Sequence, residues 1–164
     1  MLEGRSEPAG QVVVVDDLGF HQATSVAELL ADRGCEVEII TAGMVVGQDL
    51  GVTLDMETFN MRAHAKGIRQ ATDLVVIGAA EDGGDEGPDG RSGGVQLSLL
   101  HHPTGQSARR NCDWVVCAVH QAPEEELWLE LQGAPFEVHR AGDCVTPRRA
   151  HAAVIEGHRA AVAL

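Results

Sequence analysis

Gln11–Asp17 reads QVVVVDD, four consecutive valines closed by two aspartates. An unbroken β-branched run with no polar alternation suits a strand covered on both faces, as in a parallel sheet. Leu18 and Gly19 supply a turn. From Phe20 to Arg33 the apolar period lengthens: Ala23, Val26, Ala27 and Leu30 fall on one helical stripe. Gly34 is placed to cap that helix. Glu36–Thr41 (EVEIIT) is a second strand. Strand, helix and strand at this spacing make a βαβ unit, whose crossover is expected to be right-handed.

The rest of the chain extends this start. Met1–Gly10 is polar, carries Pro8 and Gly10, and reads as a linker. Leu54–Lys66 is expected to be a helix ended by Gly67. Gly67–Ala80 holds one or two strands, divided at Asp73. Glu81–Gly94 is dense in Gly and Asp and reads as a mobile loop. Val95–His101 and Ser107–Asn111 flank Pro103–Gly105 as a hairpin. Asp113–His120 (DWVVCAVH) is expected to be another buried strand. Pro123–Leu131 suits a short helix, with Pro at its start and acids in its first turn. Phe136–Arg140 reads as a strand. Pro147–Leu164 reads as a closing helix with Ala150, Val154, Gly157 and Ala161 on one stripe. Parallel βαβ units with an inserted β-meander indicate an α/β, Rossmann-like nucleotide-binding architecture.

Composition narrows the partners. The chain has 164 residues, enough for one domain with a real core. Its net charge of −13 repels phosphate backbones, so nucleic acid is not an expected partner. No apolar run is long enough to span a bilayer, and Met1–Gly10 carries no secretory pattern. The expected location is the cytoplasm. The four cysteines show no CxxC pair and read as reduced, mostly buried thiols. Cys117 and His120 share the expected Asp113–His120 strand, with Cys112 just before it, but no closing metal ligand is apparent. Neither a metal site nor a catalytic constellation is expected.

Two places could carry binding. The first is the turn Asp16-Asp17-Leu18-Gly19. A dinucleotide turn uses glycines for the sharp bend, for backbone approach to pyrophosphate, and for close helix packing. Here only Gly19 remains, and Asp16 and Asp17 place carboxylates where a pyrophosphate would lie. The second strand should end in an acid for the ribose, but Thr41 offers only a hydroxyl. The turn is either a plain βαβ connection or a degenerate adenine-nucleotide site. The second place is Gly142-Asp143, followed by Pro147-Arg148 and the last helix. There a carboxylate could meet a sugar hydroxyl, and Arg148 a phosphate.

Three stretches together resemble a known family: VVVVDDLGFHQATSVAELLADRGCEVEIIT, DWVVCAVHQAPEEELW and VHRAGDCVTPRRAHAAVIEGHRAA. They look like the C-terminal region of Old Yellow Enzyme-type NADH:flavin oxidoreductases, the group of trimethylamine and histamine dehydrogenases and dienoyl-CoA reductases. The resemblance implies a glutathione reductase-type FAD/NAD(P)-binding fold over residues 11–164. Within it, residues 136–164 resemble the closing strand and helix of the FAD-type domain. It implies that Asp16, Asp17 and Gly19 occupy the nucleotide turn, and that Gly142 and Asp143 match the Gly-Asp motif facing the sugar chain. Cys117–Pro123 (CAVHQAP) matches a segment usually reading ATGxxP, with its glycine lost. FMN and an iron–sulfur cluster belong to a flavin barrel absent from this sequence. That barrel, as a domain or a subunit of the same enzyme, is the implied partner. The implied role is structural or adenine-nucleotide-binding (ADP, NAD or the FAD moiety). The alternative is a stand-alone docking subunit that binds a flavoprotein and no nucleotide.

Overall fold

The four valines of β1 (Gln11–Asp16) divide between two cores. Side chains alternate across a strand, and both faces here are covered. Val12 and Val14 pack with Ala23, Ala27 and Leu30 of α1 (His21–Asp32) and with Phe59 and Ala63 of α2 (Met56–Ala65). Val13 and Val15 pack with Leu97 and Leu99 of β5 (Val95–His101) and Cys112 of β6 (Gln106–Cys112). β2 (Glu36–Thr41) divides likewise, Val37 and Ile39 toward the helices and Ile40 toward the other side. The unbroken apolar run therefore reports a strand sandwiched between helices and a second sheet.

The computed structural model describes residues 6–81 and 94–163. The chain forms two compact units, Met1–Val119 and His120–Leu164. In the first, a parallel sheet runs in the order β3-β2-β1-β7, where β3 is Arg69–Ala71 and β7 is Trp114–Ala118. β4 (Leu74–Glu81), β5 and β6 form the antiparallel meander. Successive strands step outward from β1 through β2 to β3, and β7 then returns to the other side of β1. The order therefore reverses at β1, and the carboxyl ends of β1 and β7 define a topological switch point, the usual ligand crevice of such sheets.

Polar groups fix the layers. Glu38 is buried on the meander side of β2 and pairs with Arg110 of β6 at 3.2 Å. Across the helices, Arg62 of α2 makes a forked contact with Glu28 of α1, at 2.8 and 3.2 Å, and also reaches Asp55. Gly34 ends α1 at φ +87°, and the Cys35 amide returns to the Leu30 carbonyl at 3.0 Å.

Several elements depart from expectation. The second helix starts at Met56, after a 3₁₀ segment over Gln48–Thr53, because Leu54 sits at φ +58°. The expected Asp113–His120 strand contracts to Trp114–Ala118 and is only half-buried. It pairs with β1 alone and so forms the edge of the parallel sheet. His120 falls outside it. The expected mobile loop lies mostly outside the described residues, as does the start of the Met1–Gly10 segment.

In the second unit, α3 covers only Glu126–Glu130, with the Glu124 side chain taking the amide of its first residue. Phe136–Arg140 forms no strand; no other described segment of this unit is a strand with which it could pair. α4 (Ala150–Ala163) begins three residues later than expected. The Arg148 side chain donates to the Thr146 carbonyl, which an earlier start would need as a helical acceptor. The face of α4 also differs. Val154 is 70% exposed, whereas Ala153 and Glu156 are half-buried against Gly142. No described helix is long and apolar enough to cross a membrane.

Leu99 is fully buried between the two sheets. Leu99→Ala is expected to cost about 3 kcal/mol, the usual range for a core leucine. Urea unfolding followed by circular dichroism should retain a single transition. A loss below about 1 kcal/mol would mean that the sheets do not share one core.

Candidate functional site

Asp16 ends β1 at the switch point and is fully buried. Its Oδ1 accepts the amides of Leu18 at 3.2 Å and Gly19 at 2.8 Å. Its Oδ2 accepts the Gly47 amide at 3.2 Å, from the segment after β2. The donors that a dinucleotide turn would offer a phosphate are thus bonded to the chain's own carboxylate. Burial pushes the Asp16 carboxyl above its ordinary value of 3.8, against the opposing pull of these three amides. Three donors on one buried carboxylate leave it no unmet acceptor demand.

The neighbouring groups are equally committed. Thr41, buried at the end of β2, accepts the Gly43 amide on its hydroxyl at 3.1 Å. The Gly19 carbonyl accepts the Asp49 amide at 2.8 Å, and the Asp17 amide donates to Ala118 of β7 at 3.1 Å. Gly19 holds φ +62°. A methyl group built on it would lie 3.7 Å from the backbone nitrogens of Gln48 and Asp49. The Asp17 side chain is exposed and hydrogen-bonds to nothing among the described residues. This arrangement does not fit a pyrophosphate seated on the turn.

The second candidate site is built in the same manner. Gly142 turns at φ +75°, and its amide donates to Glu156 Oε2 of α4 at 2.8 Å. Arg148 pairs with the other Glu156 oxygen. A Cβ on Gly142 would approach Ala153 Cβ to 3.2 Å, so the turn rests directly on the helix. Arg148, the side chain expected to meet a phosphate, is therefore joined to the Gly142 amide through Glu156. Asp143 is exposed, with its carboxylate unbonded among the described residues. Beside it, Arg140 pairs with Glu125 and lies 3.9 Å over the Trp128 ring.

Other features lie away from these turns. A shallow depression of about 390 Å³ opens at the amino ends of β1 and β2, lined by Gly10, Gln11, Glu36 and Asp113, opposite the switch point. Only Cys112 of the four cysteines is buried, and Cys117 is exposed on the edge strand. The described His, Cys, Asp and Glu side chains form no group able to hold a metal.

With this geometry in hand, likeness to known proteins can be weighed. No family model matches the chain. It is 25% identical to an N,N-dimethylglycine/sarcosine dehydrogenase of Chromohalobacter salexigens, over 97% of this chain and 26% of that protein. It is 27% identical to a probable N-methylproline demethylase of Rhizobium meliloti, with the same coverage. Among solved structures it superposes on histamine dehydrogenase from a Rhizobium species with TM-score 0.81 and 22% identity, over 99% of this chain and 23% of that one. It matches a 6-hydroxypseudooxynicotine amine oxidase from Pseudomonas geniculata with TM-score 0.79 and 24% identity, over 97% and 23%.

The fold is that of one quarter of histamine dehydrogenase. That enzyme belongs to the group the sequence resembles, so the expected architecture is met at the level of fold. The chain spans about a quarter of the length of the curated relatives it matches.

Two contributors escaped the sequence. Glu156 has no motif around it, and only the folded turn brings Gly142 and Arg148 to it. The segment Ala42–Gly47 gave a fainter signal: the apolar Met44-Val45-Val46 between two glycines marks a loop that must bury something, and Val46 is fully buried.

The raised Asp16 carboxyl fixes the sign of a pH effect. Its protonated form is favoured by folding, so its contribution is fully present below the unfolded value of about 3.8 and is lost as pH rises through the folded value. Asp16→Asn removes this titration. Wild-type stability relative to Asp16→Asn should therefore be greater at pH 4 than at pH 7, by urea unfolding. A difference that grows with pH would contradict this placement. Asp55 has the opposite sign: the hydrogen bond from Arg62 holds its carboxyl low, so its contribution is lost in acid.

Proposed function

We propose that this chain is the nucleotide-binding-type region of a flavin-dependent amine dehydrogenase or oxidase, in which it serves structure rather than hydride transfer. The observation that carries the reading is the buried Asp16 carboxylate on the amides of Leu18, Gly19 and Gly47. A domain that relays hydride needs those amides for its cofactor. Here the chain's own carboxylate takes them. The matched proteins support the rest. They include a dimethylglycine/sarcosine dehydrogenase, a methylproline demethylase, a histamine dehydrogenase and an amine oxidase, so oxidation at an amine carbon is the proposed parent chemistry. In this reading the flavin, any iron–sulfur cluster and the amine pocket lie in other parts of the enzyme, and the partner is a flavin-barrel domain or subunit.

Residues 136–164 are proposed to complete an FAD-type domain with that remainder. No described side chain of the His120–Leu164 unit is buried, and Leu127, Phe136, Val154 and Val162 are each more than half exposed. A unit of this size cannot hold itself together without further apolar cover. Within it, Asp143 is the group proposed to face a sugar hydroxyl of an adenine nucleotide, beside Gly142 and Arg148. The same exposed surface also supports the second reading, a separate docking subunit that binds a flavoprotein and no nucleotide.

Purification of the native assembly tests the proposal. A preparation containing this chain should carry flavin absorbance and oxidise an N-methylated amine, while the isolated chain should do neither. A homogeneous native assembly with this chain and no flavin would overturn it. Asp143→Ala separates the two readings. If an adenine nucleotide sits there, its binding to the assembly should fall about tenfold or more by calorimetry, the loss of a charge-assisted hydrogen bond. No nucleotide binding by the unmodified assembly would favour the docking subunit.

A further inference from the structure

The segment Ala42–Leu54, between β2 and α2, enters the proposal above only through its Gly47 amide, yet it is anchored at several points. Val46 and Leu50 are fully buried in the helix-side core. The Gly47 amide is held by Asp16 at 3.2 Å and the Asp49 amide by the Gly19 carbonyl at 2.8 Å. From the meander side, the His102 ring donates through Nε2 to the Ala42 carbonyl at 3.0 Å. The Asp73 amide donates to the Gly43 carbonyl, also at 3.0 Å. Gly47 lies at φ +65°, and a Cβ there would strike Leu50 Cδ1 at 2.7 Å, so the segment is closed down tightly on itself.

Its position decides what it does. A single methyl on Gly19 would already touch the backbone at Gln48 and Asp49. Turn and segment thus pack at ordinary van der Waals distance at Gly19, and a phosphate is far larger than the methyl that would fill that contact. The segment also supplies the Gly47 amide to the carboxylate that holds the turn's own amides.

We infer that Ala42–Leu54 is an intramolecular strap occupying the dinucleotide crevice, with Asp16 as its latch, so that the domain excludes nucleotides by its own structure. This rests on reading the domain as nucleotide-binding in type. It adds the agent of exclusion: a covering segment as well as missing glycines. Removing the latch should then open the crevice to the pyrophosphate group of ADP.

Hydrogen exchange and calorimetry on the full chain test this together. In the wild type, the Gly47 and Asp49 amides should be protected, and with Asp143→Ala in the background neither ADP nor inorganic pyrophosphate should bind at millimolar concentration. Asp16→Asn keeps an acceptor for the Leu18 and Gly19 amides but turns a donor toward Gly47. It should speed exchange at Gly47 and Asp49 at least tenfold with β2 unchanged, and pyrophosphate and ADP should bind at least tenfold more tightly than to wild type. Asp16→Gly should go further on both readouts; should it not fold, Asp16→Asn alone decides. Wild-type binding of ADP or pyrophosphate that persists in Asp143→Ala, with the strap still protected, would overturn the inference. So would faster strap exchange with no gain in binding, or no change in exchange at all. None of these outcomes depends on whether the chain belongs to a flavin enzyme.

Discussion

A buried carboxylate is expensive unless its lone pairs are met. Asp16 meets that demand with amides from two separate loops, and much of the first unit is arranged around the result. Bonding to Leu18 and Gly19 sets the bend between β1 and α1. Bonding to Gly47 draws the post-β2 segment across that bend and seats Val46 and Leu50 in the core. One ionisable group at the end of one strand thus couples turn, strap and helix packing.

The second unit repeats the device with different residues. Glu156 joins the Gly142 amide to Arg148, two groups that would otherwise be free for an anion. In both places a carboxylate of the chain accepts backbone amides at a turn. A net charge of −13 adds to the effect, because an acidic surface disfavours anionic ligands at any distance less than the screening length. These internal contacts hold both turns as ordered parts of the fold.

Much of the fold was legible because it rests on local periodicity. The valines of β1, the stripe of α1 and the EVEIIT strand each state their structure within six to twelve residues. The meander was legible for the same reason. Phe136–Arg140 was misread because a strand exists only with a partner, and alternation in sequence cannot supply one. The face of α4 was misread because apolar spacing pointed to Val154, while the contact is made by Ala153 and a charged Glu156. The aspartates at the first turn were legible as an obstacle to phosphate. That one of them points inward could not be read, since it depends on Gly47, 31 residues away.

Cys112 sits where the parallel sheet meets the meander, in contact with the core that contains Val13, Val15, Leu97 and Leu99. Burial pushes its thiol up, and its Sγ faces the Val95 carbonyl at 3.6 Å. Only a thiolate reacts readily with an alkylating reagent, so this sulfur is silent while the sheets are closed. Cys117, exposed on the edge strand, reacts from the outset. The chain therefore carries its own clock for layer separation: the labelling of Cys112, followed apart from that of the more accessible Cys35, Cys117 and Cys144, measures how often the meander lifts from the parallel sheet.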